Sequence, residues 1–214
     1  MTEILLIRHG ETDWNAERRL QGHLDIALNA EGERQAAALG RALAAEPVDA
    51  IIASDLQRAL HTAHAIARPR GMTVHVDPGL RERCYGAFEG LLYSELGERY
   101  PDAFAAWRAR DVDARYPMGQ RQAETLREFS ARAVETVVRL ADAHRNKKIV
   151  IVSHGGVLEC VYREAKQIGL LPPRDFDILN ASINRLLWDG TSLHIATWSD
   201  AAHLKDQVLD EVDK

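Results

Sequence analysis

The sequence predicts an α/β fold of three layers, with a largely parallel central sheet between two layers of helices. Three observations carry this reading. The apolar runs Ile4-Leu5-Leu6-Ile7, Ala50-Ile51-Ile52-Ala53 and Ile149-Val150-Ile151-Val152 lack polar alternation, as strands buried on both faces do. Stretches of helical periodicity alternate with them. Two of the runs end in the polar junctions Arg8-His9-Gly10 and Ser153-His154-Gly155, and the carboxyl edge of an open parallel sheet is where ligands bind.

The elements follow in order. After the first strand, Asn29 is placed to cap a helix running to about residue 46, which Pro47 ends. Asp55 is expected to cap the next helix, from 56 to about 68, stopped by Pro69 and Gly71. Residues 73–76 read as a further strand. From 89 to about 122 the periodicity loosens into short helical pieces at 93–100 and 103–110, a small helical insertion over the sheet edge. A long helix from 124 to about 145 presents Leu126, Phe129, Ala133, Val137 and Leu140 on one face. A helix over 157–168 follows the last buried strand, and residues 182–198 form a hairpin turning at Asp189-Gly190. The tail, 201–214, is expected to be a short exposed helix or a disordered end. The whole reads as a single domain, 1–214, carrying the insertion at about 89–122.

Composition narrows the function. With 214 residues, 46% hydrophobic and 28% charged, the chain buries a substantial core. A net charge of −5 and a pI near 6.0 give no global positive field, so neither a nucleic acid nor a membrane surface is an expected partner. Lys and Arg total 27, yet the lysines are only Lys147, Lys148, Lys166, Lys205 and Lys214. The basic side chains are therefore mostly arginine forks, suited to phosphate or carboxylate. Cys84 and Cys160 make no disulfide framework and no Cys-x-x-Cys pair. No apolar stretch approaches the roughly 20 residues that span a bilayer, and no signal segment opens the chain, so a cytoplasmic location is expected.

Three strand ends bring polar residues of one purpose to one edge: Arg8 and His9; Ser54, Asp55 and Arg58; Ser153 and His154. Gly155-Gly156 opens a helix whose free N–H groups and positive dipole end favour an anion. A phosphoryl group, with about −1.5 to −2 charge, needs such multiple donors, and an imidazole among them is a nucleophile able to carry it. Other phosphate chemistries lack their parts: there is no Gly-Lys pair for a P-loop and no cysteine-phosphatase spacing, and the esterase-like His154-Gly155-Gly156 has no Gly-x-Ser-x-Gly to serve. His61 and His64, one helical turn apart, have no third ligand at suitable spacing, so no metal is expected.

Leu6-Ile7-Arg8-His9-Gly10-Glu11-Thr12-Asp13-Trp14-Asn15 resembles the signature of the histidine phosphatase superfamily, in its phosphoglycerate mutase-like branch. The resemblance continues through Leu20-Gln21-Gly22-His23, Ser54-Asp55-Leu56-Gln57-Arg58-Ala59, Leu80-Arg81-Glu82-Arg83 with Tyr85-Gly86, and Val152-Ser153-His154-Gly155-Gly156, covering roughly residues 3 to 198. It implies that His9 takes the phosphoryl group, that Arg8, Arg58 and His154 bind its oxygens, and that Glu82 is the proton shuttle. It further implies substrate contacts from Asn15, Gln21, Gly22, Arg83, Tyr85 and Gly155.

The resemblance implies a phosphatase or a mutase. Glu82-Arg83-Cys84-Tyr85-Gly86 is similar to the mutase segment, but the lysine that follows in mutases falls on Tyr93, and their paired arginine is displaced in Trp107-Arg108-Ala109-Arg110. The expectation is a metal-independent phosphatase of small phosphorylated metabolites, without cofactor. The alternative is a phosphoglycerate mutase needing 2,3-bisphosphoglycerate as primer, and a non-catalytic phosphate-binding protein is third. The hairpin at 182–198 offers an edge strand on which two copies could pair as a homodimer.

Overall fold

The computed structural model describes residues 1–204 and 208–211. Its strands are β1 (Thr2–Arg8), β2 (Ala50–Ala53), β3 (Val74–Val76), β4 (Lys148–Ser153), β5 (Ile183–Trp188) and β6 (Leu193–Asp200). They form one sheet in the order β3-β2-β4-β1-β5-β6. The first four are mutually parallel, while β5 and β6 run antiparallel as a hairpin beside β1. The helices are α1 (Asp13–Ala16), α2 (Ala30–Ala42), α3 (Gln57–Ala67), α4 (Leu96–Arg99), α5 (Pro101–Arg108), α6 (Leu126–Ala143) and α7 (Gly155–Lys166).

Successive side chains of a strand point to opposite faces, and the two cores divide accordingly. Ile4, Leu6, Ile149 and Ile151 pack with Val137 and Leu140 of α6 and with Val157 and Val161 of α7. Leu5, Ile7, Val150 and Val152 pack on the other face with Leu39 of α2 and with Ala63 and Ile66 of α3. Both faces are covered, so the runs have no polar alternation. A third core of Phe88, Leu96, Trp107, Tyr116 and Ala123 belongs to the insertion.

This division positions the site. After β1 the chain crosses to the face of α2, whereas after the adjacent β4 it enters α7 on the opposite face. Neighbouring strands whose connections diverge open a crevice between them at the carboxyl edge. Arg8 pairs with Ser153 there and Ala53 with Val152, so all three polar junctions end level.

Several boundaries differ from the sequence reading, each for a physical reason. Asn29 does cap α2, accepting from the Gly32 N–H, but the helix closes at Ala42 rather than near residue 46. Asp55 does not cap α3, because its carboxylate pairs with Arg81; Asp25, from a distant loop, accepts the Gln57 N–H instead. Helix α7 starts at Gly155, two residues earlier than its apolar pattern. The hairpin turns through four residues, with Asp189 Oδ1 accepting from the N–H groups of Thr191 and Ser192. Of the expected tail, 201–204 form a turn and 208–211 are not helical but lie against the sheet's carboxyl edge, where the Asn180 N–H donates to the Leu209 carbonyl; 205–207 and 212–214 lie outside the described residues. Among the described residues no helix is long and apolar enough to cross a membrane.

Candidate active site

His9 stands one residue beyond β1. Its N–H donates to the Ser153 carbonyl at 2.9 Å and its carbonyl accepts from Asn180 Nδ2 at 3.0 Å, so the backbone is fixed from both sides. The ring Nδ1 lies 2.6 Å from the Gly10 carbonyl. A carbonyl only accepts, so Nδ1 carries the proton and Nε2 keeps its lone pair. Burial, then the charges of Arg58 and Arg8, hold the imidazole pKa well below 6.5. The ring is thus neutral, the form a nucleophile needs.

Two buried guanidinium groups flank it. Arg8 donates through Nη1 to the Ile178 carbonyl at 2.5 Å, and its Nη2 lies 2.9 Å from Glu211 Oε2. Arg58 on α3 donates to the Leu24 and Gly22 carbonyls at 2.9 and 2.8 Å, tying down the loop that carries Gln21. Gly22 sits at φ +50°, a conformation that favours glycine and turns its carbonyl to that arginine. Burial depresses the Arg58 pKa to about 10, which still leaves it a cation at neutral pH. His154, the residue before α7, lies with its ring centroid 5.2 Å from that of His9, and its Nε2 is 2.8 Å from Ser54 Oγ. Burial and the charge of Arg58 keep it neutral as well.

The polar atoms left over are informative. Arg8 Nε, Arg58 Nε and His154 Nδ1 are buried without a hydrogen-bond partner among the described residues. Arg8 Nη2 is also unmet as a hydrogen-bond donor, because Glu211 approaches within ion-pair distance but out of line with the N–H. Buried polar groups are nearly always bonded, so several unmet ones around a single imidazole fit an oxyanion that approaches from several sides.

Glu82 completes the arrangement. Its Oε1 accepts from the Arg83 N–H at 2.8 Å and its Oε2 from the Gly156 N–H at 3.0 Å. Burial raises its pKa from 4.5 to about 7, helped by the negative charge of Glu211 and opposed by those two N–H groups and Arg58. A carboxyl with a pKa near neutrality can both give and take a proton.

His9, Asn15, Gln21, Gly22, Arg58, Glu82 and Tyr85 line one cavity. Asn15 accepts the Thr12 N–H and hydroxyl at its Oδ1, which leaves Nδ2 to donate. Arg83 is placed differently: it lines a neighbouring cavity with Trp107, Tyr116 and Phe129, its guanidinium 4.6 Å from the Tyr116 ring centroid and bonded to the Glu124 carbonyl. Tyr85 and the Glu82–Gly156 contact form the partition between the two cavities. Sequence reasoning missed Glu211, which also lines the first cavity, and Asn180, which holds the His9 carbonyl. No periodicity or spacing marks either one. No group of three His, Cys, Asp or Glu side chains able to hold a metal occurs among the described residues.

Comparison with known proteins points to one family. Residues 4–201 match the sequence profile of the histidine phosphatase superfamily, branch 1. The chain is 38% identical to phosphoglycerate mutase-like protein 4 of Arabidopsis thaliana over 95% of its length and 87% of that protein's. It is 36% identical to the metal-independent phosphoserine phosphatase of the same plant, over 95% and 84%. The solved structure of Bacillus stearothermophilus YhfR superposes with a TM-score of 0.85 at 34% identity, covering 96% of this chain and all of that one. The chain is therefore an enzyme belonging to the histidine phosphatase superfamily, branch 1.

Proposed function

We propose that the protein hydrolyses small phosphomonoesters through a phosphohistidine on His9, without a metal ion. The observation that carries this is the tautomer of His9: Nδ1 is committed to the Gly10 carbonyl, so the lone pair of Nε2 is available beside Arg58 and Glu82 in one cavity. In the first step Nε2 attacks phosphorus and the P–O bond to the alcohol breaks. Glu82, as the acid, gives its proton to the departing alkoxide. Arg8, Arg58 and His154 hold the phosphoryl oxygens, on which charge is concentrated in the transition state. In the second step the Glu82 carboxylate takes a proton from water, the oxygen attacks phosphorus, and inorganic phosphate leaves while His9 is restored.

The insertion favours hydrolysis over mutase chemistry. Tyr93 packs edge-on against Phe104 and Trp107 in the insertion core, so no cation stands where the mutase resemblance calls for a lysine. Arg110 is consumed by the Glu159 carboxylate at 2.6 Å and the Leu170 carbonyl at 2.8 Å. A phosphoglycerate mutase is the second reading, supported by Arg83, a cation in the neighbouring cavity whose side chain, among the described residues, bonds to a backbone carbonyl, that of Glu124. The test is rapid quenching during turnover of a phosphomonoester panel with chelator present, run beside conversion of 3- to 2-phosphoglycerate. The expected result is base-stable, acid-labile phosphate on His9 and release of inorganic phosphate. Phosphoglycerate isomerisation faster than hydrolysis would give the second reading instead.

A further inference from the structure

The carboxylate of Glu211 lies inside the proposed phosphoryl site. Its Oε2 is 2.9 Å from Arg8 Nη2 and in close contact with the position a Cβ on Gly155 would take, at the amino end of α7. Glu211 also lines the cavity of His9, Arg58 and Glu82. An anion at this place competes for the donors that a phosphoryl group would use.

The segment that delivers it is bound, not draped. Asp210 Oδ1 accepts from Arg174 Nη1 at 3.0 Å, from the Ile178 N–H at 2.7 Å and from the Glu211 N–H at 2.8 Å. Arg174 Nη2 donates to the Glu211 carbonyl at 2.9 Å, and the Asn180 N–H to the Leu209 carbonyl at 3.0 Å. Arg174 is itself buried, so its guanidinium has a firm place from which to grip. The residues that hold the segment also serve the site: the Ile178 carbonyl accepts from Arg8, and Asn180 Nδ2 donates to the His9 carbonyl.

The carboxylate does not satisfy every donor around it. It pairs with Arg8 out of line with the N–H and leaves Arg8 Nε, Arg58 Nε and His154 Nδ1 unmet. A planar group with two oxygens cannot reach donors arranged around a tetrahedral one, so a phosphoryl group with three free oxygens has the advantage. Like charge forbids both at once. We propose that residues 208–211 are an autoinhibitory strap, in which Glu211 occupies the phosphoryl site as an internal competitive anion and must withdraw before a phosphomonoester can bind. This rests on the phosphoryl-transfer reading above.

A ligand whose competent state is only partly populated binds more weakly by that fraction. The experiment measures the dissociation constant of inorganic phosphate by calorimetry, and kcat and KM for p-nitrophenyl phosphate, in the wild type, Glu211→Gln and Arg174→Ala. Glu211→Gln removes the competing charge, and Arg174→Ala releases the strap while leaving Glu211 intact. Both variants are expected to bind phosphate about tenfold more tightly and to lower KM by a similar factor, with kcat within about twofold of wild type. Equal phosphate affinity in wild type and both variants would overturn the strap while leaving the phosphoryl site standing. A kcat collapse in Glu211→Gln would overturn it by making Glu211 part of the reaction. Failure of phosphate to bind any of the three would overturn the strap and the phosphoryl reading together.

Discussion

The Gly156 N–H donates to Glu82 Oε2 across 3.0 Å, so the first turn of α7 holds the carboxyl group that sits between the two cavities. The fit leaves no room for a side chain. A Cβ on Gly156 would press into Glu82 Oε1 and come within 3.0 Å of the Phe129 ring. Gly156→Ala is therefore expected to displace the acid and lower kcat for alkyl phosphates by about 10²-fold, the cost of a misplacement near 1 Å. Phosphate affinity, measured by calorimetry, should stay near wild type. Unchanged turnover would show that Glu82 tolerates movement.

Glu82→Gln separates leaving-group protonation from binding. Hydrolysis of an alkyl phosphate should slow by roughly 10²–10⁴, while phosphorylation of His9 by p-nitrophenyl phosphate, whose leaving group is stable unprotonated, should suffer much less. Stopped-flow burst amplitudes and rates for the two substrates make the comparison. Equal losses would remove Glu82 from the role of acid.

The pH profile follows from the same two groups. In the proposed mechanism phosphorylation uses Glu82 as the acid, and its pKa of about 7 should make kcat/KM for alkyl phosphates fall above neutrality. His9, held well below 6.5, remains an unprotonated nucleophile as pH drops, so the acidic side should follow the second ionisation of the substrate near 6. Glu82→Gln should lack the alkaline limb. A wild-type optimum above pH 8 would contradict the assignment.

His9→Ala should abolish turnover with little effect on stability, about 1 kcal/mol for the lost bond to Gly10. Near wild-type activity would rule out the phosphohistidine. Arg58→Ala should cost 10²–10³ in rate, as removal of one stabiliser of an oxyanion does. Arg58→Lys should recover only part, since a single ammonium cannot hold the Gly22 and Leu24 carbonyls and an oxyanion together. Steady-state kinetics on the three variants decide both points.

Stability should also depend on pH through Glu82. Its folded pKa, about 7, lies above the ordinary 4.5, so the folded state binds the extra proton between these values. The group's contribution is complete below about pH 4.5 and is lost as pH rises through 7. Relative to Glu82→Gln, wild type should lose up to about 3 kcal/mol between pH 5 and 8 in urea titrations. A pH-independent difference would show that the carboxyl is not strained by burial.

Much of this was legible in the sequence because the relevant signals are local. The buried runs at 4–7 and 149–152 announce β1 and β4, and the histidines just beyond them, His9 and His154, are brought into edge-on contact. What the sequence hid depends on distant partners. Asp55 has the type and position of a helix cap, yet Arg81 takes its carboxylate and Asp25 caps α3 instead. Arg83 follows Glu82 directly in the chain but turns into the adjacent aromatic cavity. Glu211 carries no local signal because its position is set by Asp210, through bonds to Arg174 and the Ile178 backbone.

The pairing of Arg8 with Ser153 joins an early strand to one formed from the last third of the chain. Closing so long a loop costs entropy before any contact rewards it, and such non-local topologies fold slowly. Helices such as α2 and α3 can form beforehand, since their neighbours are close in sequence. Refolding followed by far-UV circular dichroism should therefore run ahead of recovered activity. On the ribosome the order is fixed by synthesis: until residue 153 has emerged, the nascent chain carries its imidazole without the strand that walls it from water.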